Sequence, residues 1–211
     1  MLATLLTLAT LALNQNVEIN GVKSAPQLSE MVVVTVTEFD DEHSAKFADD
    51  MERAWSTGQS FVPIVIDSYG GSVYALTRML DVIASSPVPI ATIVTGKAMS
   101  CGAVLFAAGS EGMRYAGPNS TILIHDVSSM VRGKVEDLKI EASEAERLDN
   151  LLFAVFDRAT HHPSGYFRKL LKSMGSIDWY ITPQEAKDLG LVSEIKLPTL
   201  KTSVTIHQSI E

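Results

Sequence analysis

At 211 residues, 46% of them hydrophobic and 20% charged, the chain is long enough for one domain with a sizeable core. Its balance is that of a globular protein, not a disordered or fibrous one. The formal net charge of −8 argues against a nucleic-acid backbone or an anionic membrane as the main partner. A lone cysteine, Cys101, excludes an internal disulfide and suits a reducing, cytoplasmic compartment.

The chain opens on "MLATLLTLATLAL", apolar throughout. No Lys or Arg precedes this run and no small-x-small site follows in "NQNVEING", which disfavours a signal peptide. A bilayer span needs about 20 apolar residues, more than this run supplies. Residues 1–30 therefore read as an apolar arm, packed on its own protein or on a neighbouring subunit.

From residue 31 the pattern alternates. "MVVVTVT" (31–37) is β-branched and short, a buried strand. Phe47, Met51, Ala54 and Trp55 follow at helical spacing. "FVPIVID" (61–67) is a second strand ending in the turn "SYGGS". Val73, Leu76, Leu80 and Ile83 form the next helical stripe, ended by "SSPVP". "IATIVTG" (90–96) is a third strand leading directly to Ser100. "MRYAGPNSTILIH" holds two short strands around a Gly-Pro-Asn turn.

The longest periodic stretch runs from Gly133 to about Thr160. Val135, Leu138, Ala142, Ala145, Leu148, Leu152, Val155 and Phe156 make one seam, with charged residues elsewhere. "SGYFRKLLKSMGS" reads as a helix ending near Gly175, and "TPQEAKDLGLVSEI" as a short helix, a glycine stop and a last strand. Residues 197–211 are left as a tail. Strands alternating with helices indicate an α/β domain with a largely parallel sheet.

Three features bear on chemistry. Ser100, in "KAMSCGAVLFAAGS", stands where a strand meets a buried helix. It is either the helix N-cap that serine favours or a nucleophile exposed on a sharp turn. The local Ala98-x-Ser100-x-Gly102 is only a loose relative of G-x-S-x-G. Gly70 and Gly71 either permit a tight turn or offer backbone N–H groups to a negative charge. His125 follows a β-branched strand, where a lone histidine is more often structural or on the surface than catalytic. Neither a G-x-G-x-x-G nor a Walker pattern occurs, and no spacing indicates a metal or other cofactor.

Taken together, these stretches resemble the ClpP peptidases, the proteolytic subunits of Clp proteases, over roughly residues 32–196. "IDSYGGSV" is similar to the family's I-N-S-P-G-G-S/V turn, and "GKAMSCGAVLFAAGS" to its G-x-A-x-S-x-x-x-x-L-x-x-A-G segment. "ILIHDVSSMVRGKVEDLKIEA" is similar to the family's base and following handle helix. "TPQEAKDLGLVSEI" is similar to S-x-x-E-A-x-x-Y-G-L-V-D-x-I, with Leu189 for Tyr and Ser193 for Asp. The resemblance implies a ClpP/crotonase-like spiral of β-β-α units with a protruding long handle helix at about 133–160. It implies Ser100 as nucleophile, His125 as general base, and the Gly71 and Cys101 N–H groups as oxyanion hole. It also implies two stacked heptameric rings enclosing a chamber, an AAA+ unfoldase on another chain, and polypeptide substrates.

The family's catalytic Asp meets a departure. Counting back from "DWYITPQEA", Met174 falls at that position and Asp178 matches a second acidic residue of the pattern. Candidates to orient His125 are Asp178, Asp126, and a serine (Ser173 or Ser176) or a backbone carbonyl. A catalytically impaired subunit that regulates an active partner is the alternative reading. A Ser–Lys dyad using Lys134 or Lys139, and crotonase-type enolate chemistry, are the rivals in the same fold range. "VEINGVKSAPQLSE" does not resemble the family's usual N-terminal segment.

Overall fold

The structure, a computed structural model, describes residues 31–128, 132–175 and 178–201. The arm expected at 1–30 and most of the tail, 202–211, lie outside these residues. Among those described, the strands are β1 (Val34–Val36), β2 (Val62–Ser68), β3 (Ile90–Met99), β4 (Arg114–Ala116), β5 (Thr121–Ile124), β6 (Trp179–Ile181) and β7 (Glu194–Ile195). The helices are α1 (Asp41–Ser56), α2 (Val73–Ala84), α3 (Cys101–Ala107), α4 (Val135–Ala159), α5 (Tyr166–Ser173) and α6 (Pro183–Asp188). The sheet runs β1-β2-β3-β4-β7, with β5 also on β3 and β6 on β5. Among the described strands only the β5–β6 pairing is antiparallel.

The expected mixed α/β class with a largely parallel sheet is what the chain forms. β2 is buried at five of its seven positions, as expected of a strand covered on both faces. β1 is shorter than the seven residues expected and leaves Thr35 exposed between buried Val34 and Val36. Its place at the sheet edge explains this, because only alternate side chains meet the rest of the core. The two strands around the Gly-Pro-Asn turn do not pair with each other. Both lie along β3, β4 against Thr92–Val94 and β5 against Lys97–Met99.

Local capping sets the helix starts. The Asp40 carboxylate accepts the His43 N–H at 2.7 Å to open α1, and the Ser72 hydroxyl accepts from Ala75 to open α2. Each bond satisfies one of the amides left orphaned at a helix N-terminus. The α2 stripe is rotated slightly from expectation: Ala75, Leu76 and Met79 are buried, whereas Leu80 and Ile83 are half-buried. α5 stops at Ser173, and Gly175 (φ 86°) turns the chain away in the left-handed conformation that glycine tolerates.

The long seam divides in two. Its second half, Leu148, Leu152, Val155 and Phe156, is buried in the core. Its first half is not: Val135 is 66% and Leu138 43% exposed. α4 has 25 residues and is therefore about 37 Å long, twice what its own core covers.

One buried cation ties the C-terminal half together. Arg114, 5% exposed, donates to the carbonyls of Leu191 (2.8 Å), Gly109 (3.1 Å), Ala159 (2.8 Å) and Gly190 (3.2 Å). It thereby pins the ends of α3, α4 and α6 to one another. Burial lowers its pKa, yet the four acceptors hold the charge. Arg114→Met leaves those carbonyls without donors, and we expect a loss of at least about 3 kcal/mol of stability, read as a lowered denaturation midpoint.

Candidate active site

Parallel strand order brings the three chemical stretches together. β2, β3 and β5 run side by side in one direction, so Ser68–Gly71, Ser100 and His125 all leave the sheet at the same carboxyl end. That edge is where open α/β sheets place their sites. A small cleft of about 50 Å³ there is lined by Gly71, Ser100 and His125, among others.

Ser100 is not a conventional cap. A serine N-cap has extended backbone and turns its hydroxyl onto the next turn's amides. Here φ is 54° and ψ −119°, and the side chain makes no capping bond. The turn is held by the backbone instead. Ser100 N–H donates to Leu123 C=O at 3.0 Å, and Ser100 C=O accepts from Ala103 and Val104. Positive φ at a serine stores about 1–3 kcal/mol, a cost that persists where surrounding contacts over-determine it. The hydroxyl is thus not spent on capping α3, and Ser100 stands on the cleft wall, where a nucleophile elbow places its serine.

The glycines are there for closeness as well as for turning. A Cβ on Gly70 would sit 2.7 Å from Ser100 Cβ and 2.9 Å from Met99 C=O. One on Gly71 would meet Phe39 C=O at 2.5 Å. The Ser72 N–H makes the ladder bond to Phe39 C=O, at 2.7 Å, so this bridge does not engage the Gly71 N–H. The Cys101 N–H is the first amide of α3 and has no acceptor within its helix.

The Cys101 thiol lies on the other side of the turn. It is 1% exposed and donates to Gly71 C=O at 3.3 Å. Burial pushes its pKa up, which disfavours the thiolate that a cysteine nucleophile needs. We expect Cys101 to resist iodoacetamide in the folded protein at pH 8 and to react fully after denaturation. Rapid alkylation of native protein would contradict this placement.

His125 meets a carboxylate, and it is Asp178. β6 runs antiparallel to β5 with Trp179 opposite Ile124, so the next positions outward are Asp178 and His125. Asp178 Oδ1 lies 3.3 Å from His125 Nδ1. The other candidates fall elsewhere. Met174 caps the end of α5 and packs on the core. The Ser173 hydroxyl donates to Leu170 C=O at 2.7 Å, and Ser176 lies outside the described residues. Asp126 lines the cleft, but its Oδ1 is buried without a partner. Lys139 pairs with Glu136 on the exposed half of α4, and neither it nor Lys134 lines the cleft.

The remaining described histidines have local roles. His43 contacts the Asp40 carboxylate at the start of α1. His161 lies 3.4 Å from Glu111. His162 stacks on Tyr166 at 3.9 Å. Among the described residues no group of three His, Cys, Asp or Glu side chains is placed to hold a metal.

No hydrogen bond joins the Ser100 hydroxyl to His125 among the described residues. Such bonds are commonly long without substrate and tighten in the Michaelis complex. Sequence reasoning missed the cleft's apolar wall, made by Val104 of α3 and by Leu152, Phe153 and Phe156 of α4. The seam was legible as a helix face, but only the fold shows its second half backing the serine. Asp149 was missed as well. It accepts the Val127 N–H at 2.7 Å, and its signal was a carboxylate set beside Leu148 on the buried side of the helix.

The arrangement is a largely parallel α/β domain with a serine at positive φ where a strand meets a helix, and Gly71 and the strand-end His125 on the same cleft. A profile of the Clp protease family matches residues 18–198. The chain belongs to the Clp protease family. It is 37% identical over 134 residues to an ATP-dependent Clp protease proteolytic subunit of Deinococcus radiodurans, covering 64% of each chain. It is 36% identical to the protein so named in Bacteroides thetaiotaomicron and 34% to that of Bacteroides fragilis, again over 134 residues. These matches cover 64% of this chain and 59% and 63% of those relatives. The aligned part thus spans rather less than two thirds of the relatives' length.

Proposed function

We propose that the chain is the serine endopeptidase subunit of a Clp-type compartmentalised protease. One observation carries the reading: Ser100 is held at φ 54° with its hydroxyl making no capping bond to α3, on the same cleft as His125. Ser100 Oγ attacks the scissile carbonyl carbon while His125 takes the hydroxyl proton. The carbonyl oxygen, now negative, is held by the Gly71 and Cys101 N–H groups. His125 then gives its proton to the leaving amine, the C–N bond breaks, and an acyl-serine remains. Water, deprotonated by His125, releases the acid and restores the serine. Asp178 fixes the imidazole tautomer and faces the charge that forms on it. Asp178 supports this reading over that of an impaired subunit, since a carboxylate stands 3.3 Å from His125 Nδ1 although Met174 occupies the expected position.

Assembly belongs to the same proposal. The exposed Val135 and Leu138 lie on a helix that outruns its core, a surface that suits burial against another copy. We read α4 as the handle of two stacked heptameric rings enclosing a cytoplasmic chamber for unfolded polypeptides, fed by an AAA+ unfoldase. No described helix is long and apolar enough to cross a membrane. The test is hydrolysis of a fluorogenic peptide and of unfolded casein by the purified assembly. Turnover of both is expected. An assembled particle that cleaves neither contradicts the proposal.

A further inference from the structure

We infer that Asp149, on the long helix α4, is a positioning residue for the general base, holding the chain that leaves His125 through the Val127 amide. The inference rests on the reading of Ser100 and His125 as nucleophile and base.

β5 ends at Ile124, and residues 125–128 carry no regular structure. Yet Asp126, Val127 and Ser128 form consecutive parts of the cleft wall, and the His125 ring must hold its aim toward Ser100. Asp178 steadies the ring from one side only. It is 59% exposed and precedes a strand of three residues, and a contact to a solvent-exposed carboxylate is a weak restraint. The buried restraint is Asp149. Its Oδ1 accepts the Val127 N–H at 2.7 Å, a short bond to a charged acceptor in a poorly solvated place.

Asp149 is out of keeping with its setting unless it serves this bond. It is 7% exposed, between Leu148 and Leu152 on the buried face of α4. A carboxylate there is costly where an apolar residue would pack. Burial pushes its pKa up, and the Val127 N–H bond opposes that most, with the Asp126 charge raising it and Arg168 and Lys172 lowering it. Arg168 of α5 supplies the nearest cation, its Nη2 3.8 Å from Asp149 Oδ2. The guanidinium is itself held by Asn150 and by Glu146. Two helices thus converge on one amide, two residues beyond the histidine.

The test compares wild type, Asp149→Asn and Asp149→Leu in kcat and KM for a fluorogenic peptide, and in hydrogen exchange of the Val127 amide. Asn keeps the acceptor oxygen and Leu removes it. We expect Val127 to be protected in wild type and in Asp149→Asn, with kcat within about threefold of each other. In Asp149→Leu the protection is lost and kcat falls about 10²-fold with KM little changed, the scale of a reacting group displaced by about 1 Å. A Leu variant with near wild-type kcat would overturn the role. So would a tenfold loss in Asp149→Asn with Val127 still protected, or a wild-type Val127 amide that exchanges like an open loop. These last two outcomes decide the matter even if the Leu variant does not fold. A wild type that cleaves no peptide contradicts the nucleophile reading instead, and Val127 exchange then still tests the anchor.

Discussion

Ser100→Ala is expected to lower peptide turnover by about 10⁴-fold or more, leaving the fold and assembly intact. The magnitude follows from the role, since removal of a covalent nucleophile abolishes the acyl intermediate and leaves only binding and oxyanion stabilisation. The structure also predicts the sign of the accompanying stability change. Alanine does not relieve the positive φ at position 100, because the strain arises from its Cβ. Nor does it remove a capping bond, because the hydroxyl makes none. The denaturation midpoint should therefore shift little. A large loss of stability with the activity retained would mean that the hydroxyl serves the fold.

Asp178→Asn is expected to lower kcat by about 10²–10⁴-fold with a much smaller change in KM. An amide in place of the carboxylate presents its NH₂ to His125 Nδ1, which then accepts, and so favours the Nε2–H tautomer that cannot take the serine proton. The lower end of the range reflects the exposure of Asp178, 59%, since solvent and salt screen part of its charge. Asp126→Asn, a change next to the histidine at a carboxylate whose Oδ1 has no hydrogen-bond partner among the described residues, should cost less than about tenfold. Steady-state kinetics of the two variants at one pH check this directly. If Asp126→Asn is the more damaging, the third member of the site is assigned wrongly.

Much of this was legible in residue patterns, and the exceptions have physical causes. The order of strands and helices follows from local periodicity and capping, which are short-range. Ser100 stood out because one hydroxyl broke an apolar run between strand and helix. Whether it capped the helix was settled by backbone angles, which depend on Leu123 of another strand. Asp178 could be only one of several candidates because its role depends on register. The antiparallel pairing of Trp179 with Ile124 converts a mismatch of four positions along the chain into adjacency in space. The apolar wall of the cleft was hidden for the same reason: Leu152 and Phe156 lie on a helix whose docking no local pattern specifies. The exposed first half of α4 was legible as apolar, and its solitude appears only once the rest of the core is seen to close without it.

In the proposed mechanism residues 100 and 125, with the amides of residues 71 and 101, surround one scissile bond. Treating the assembled protein with a fluorophosphonate and locating the adduct by peptide mapping tests this most directly. A single adduct on Ser100 is expected, forming at least about 10²-fold more slowly in His125→Ala. An unlabelled serine, or labelling whose rate is indifferent to His125, would contradict it.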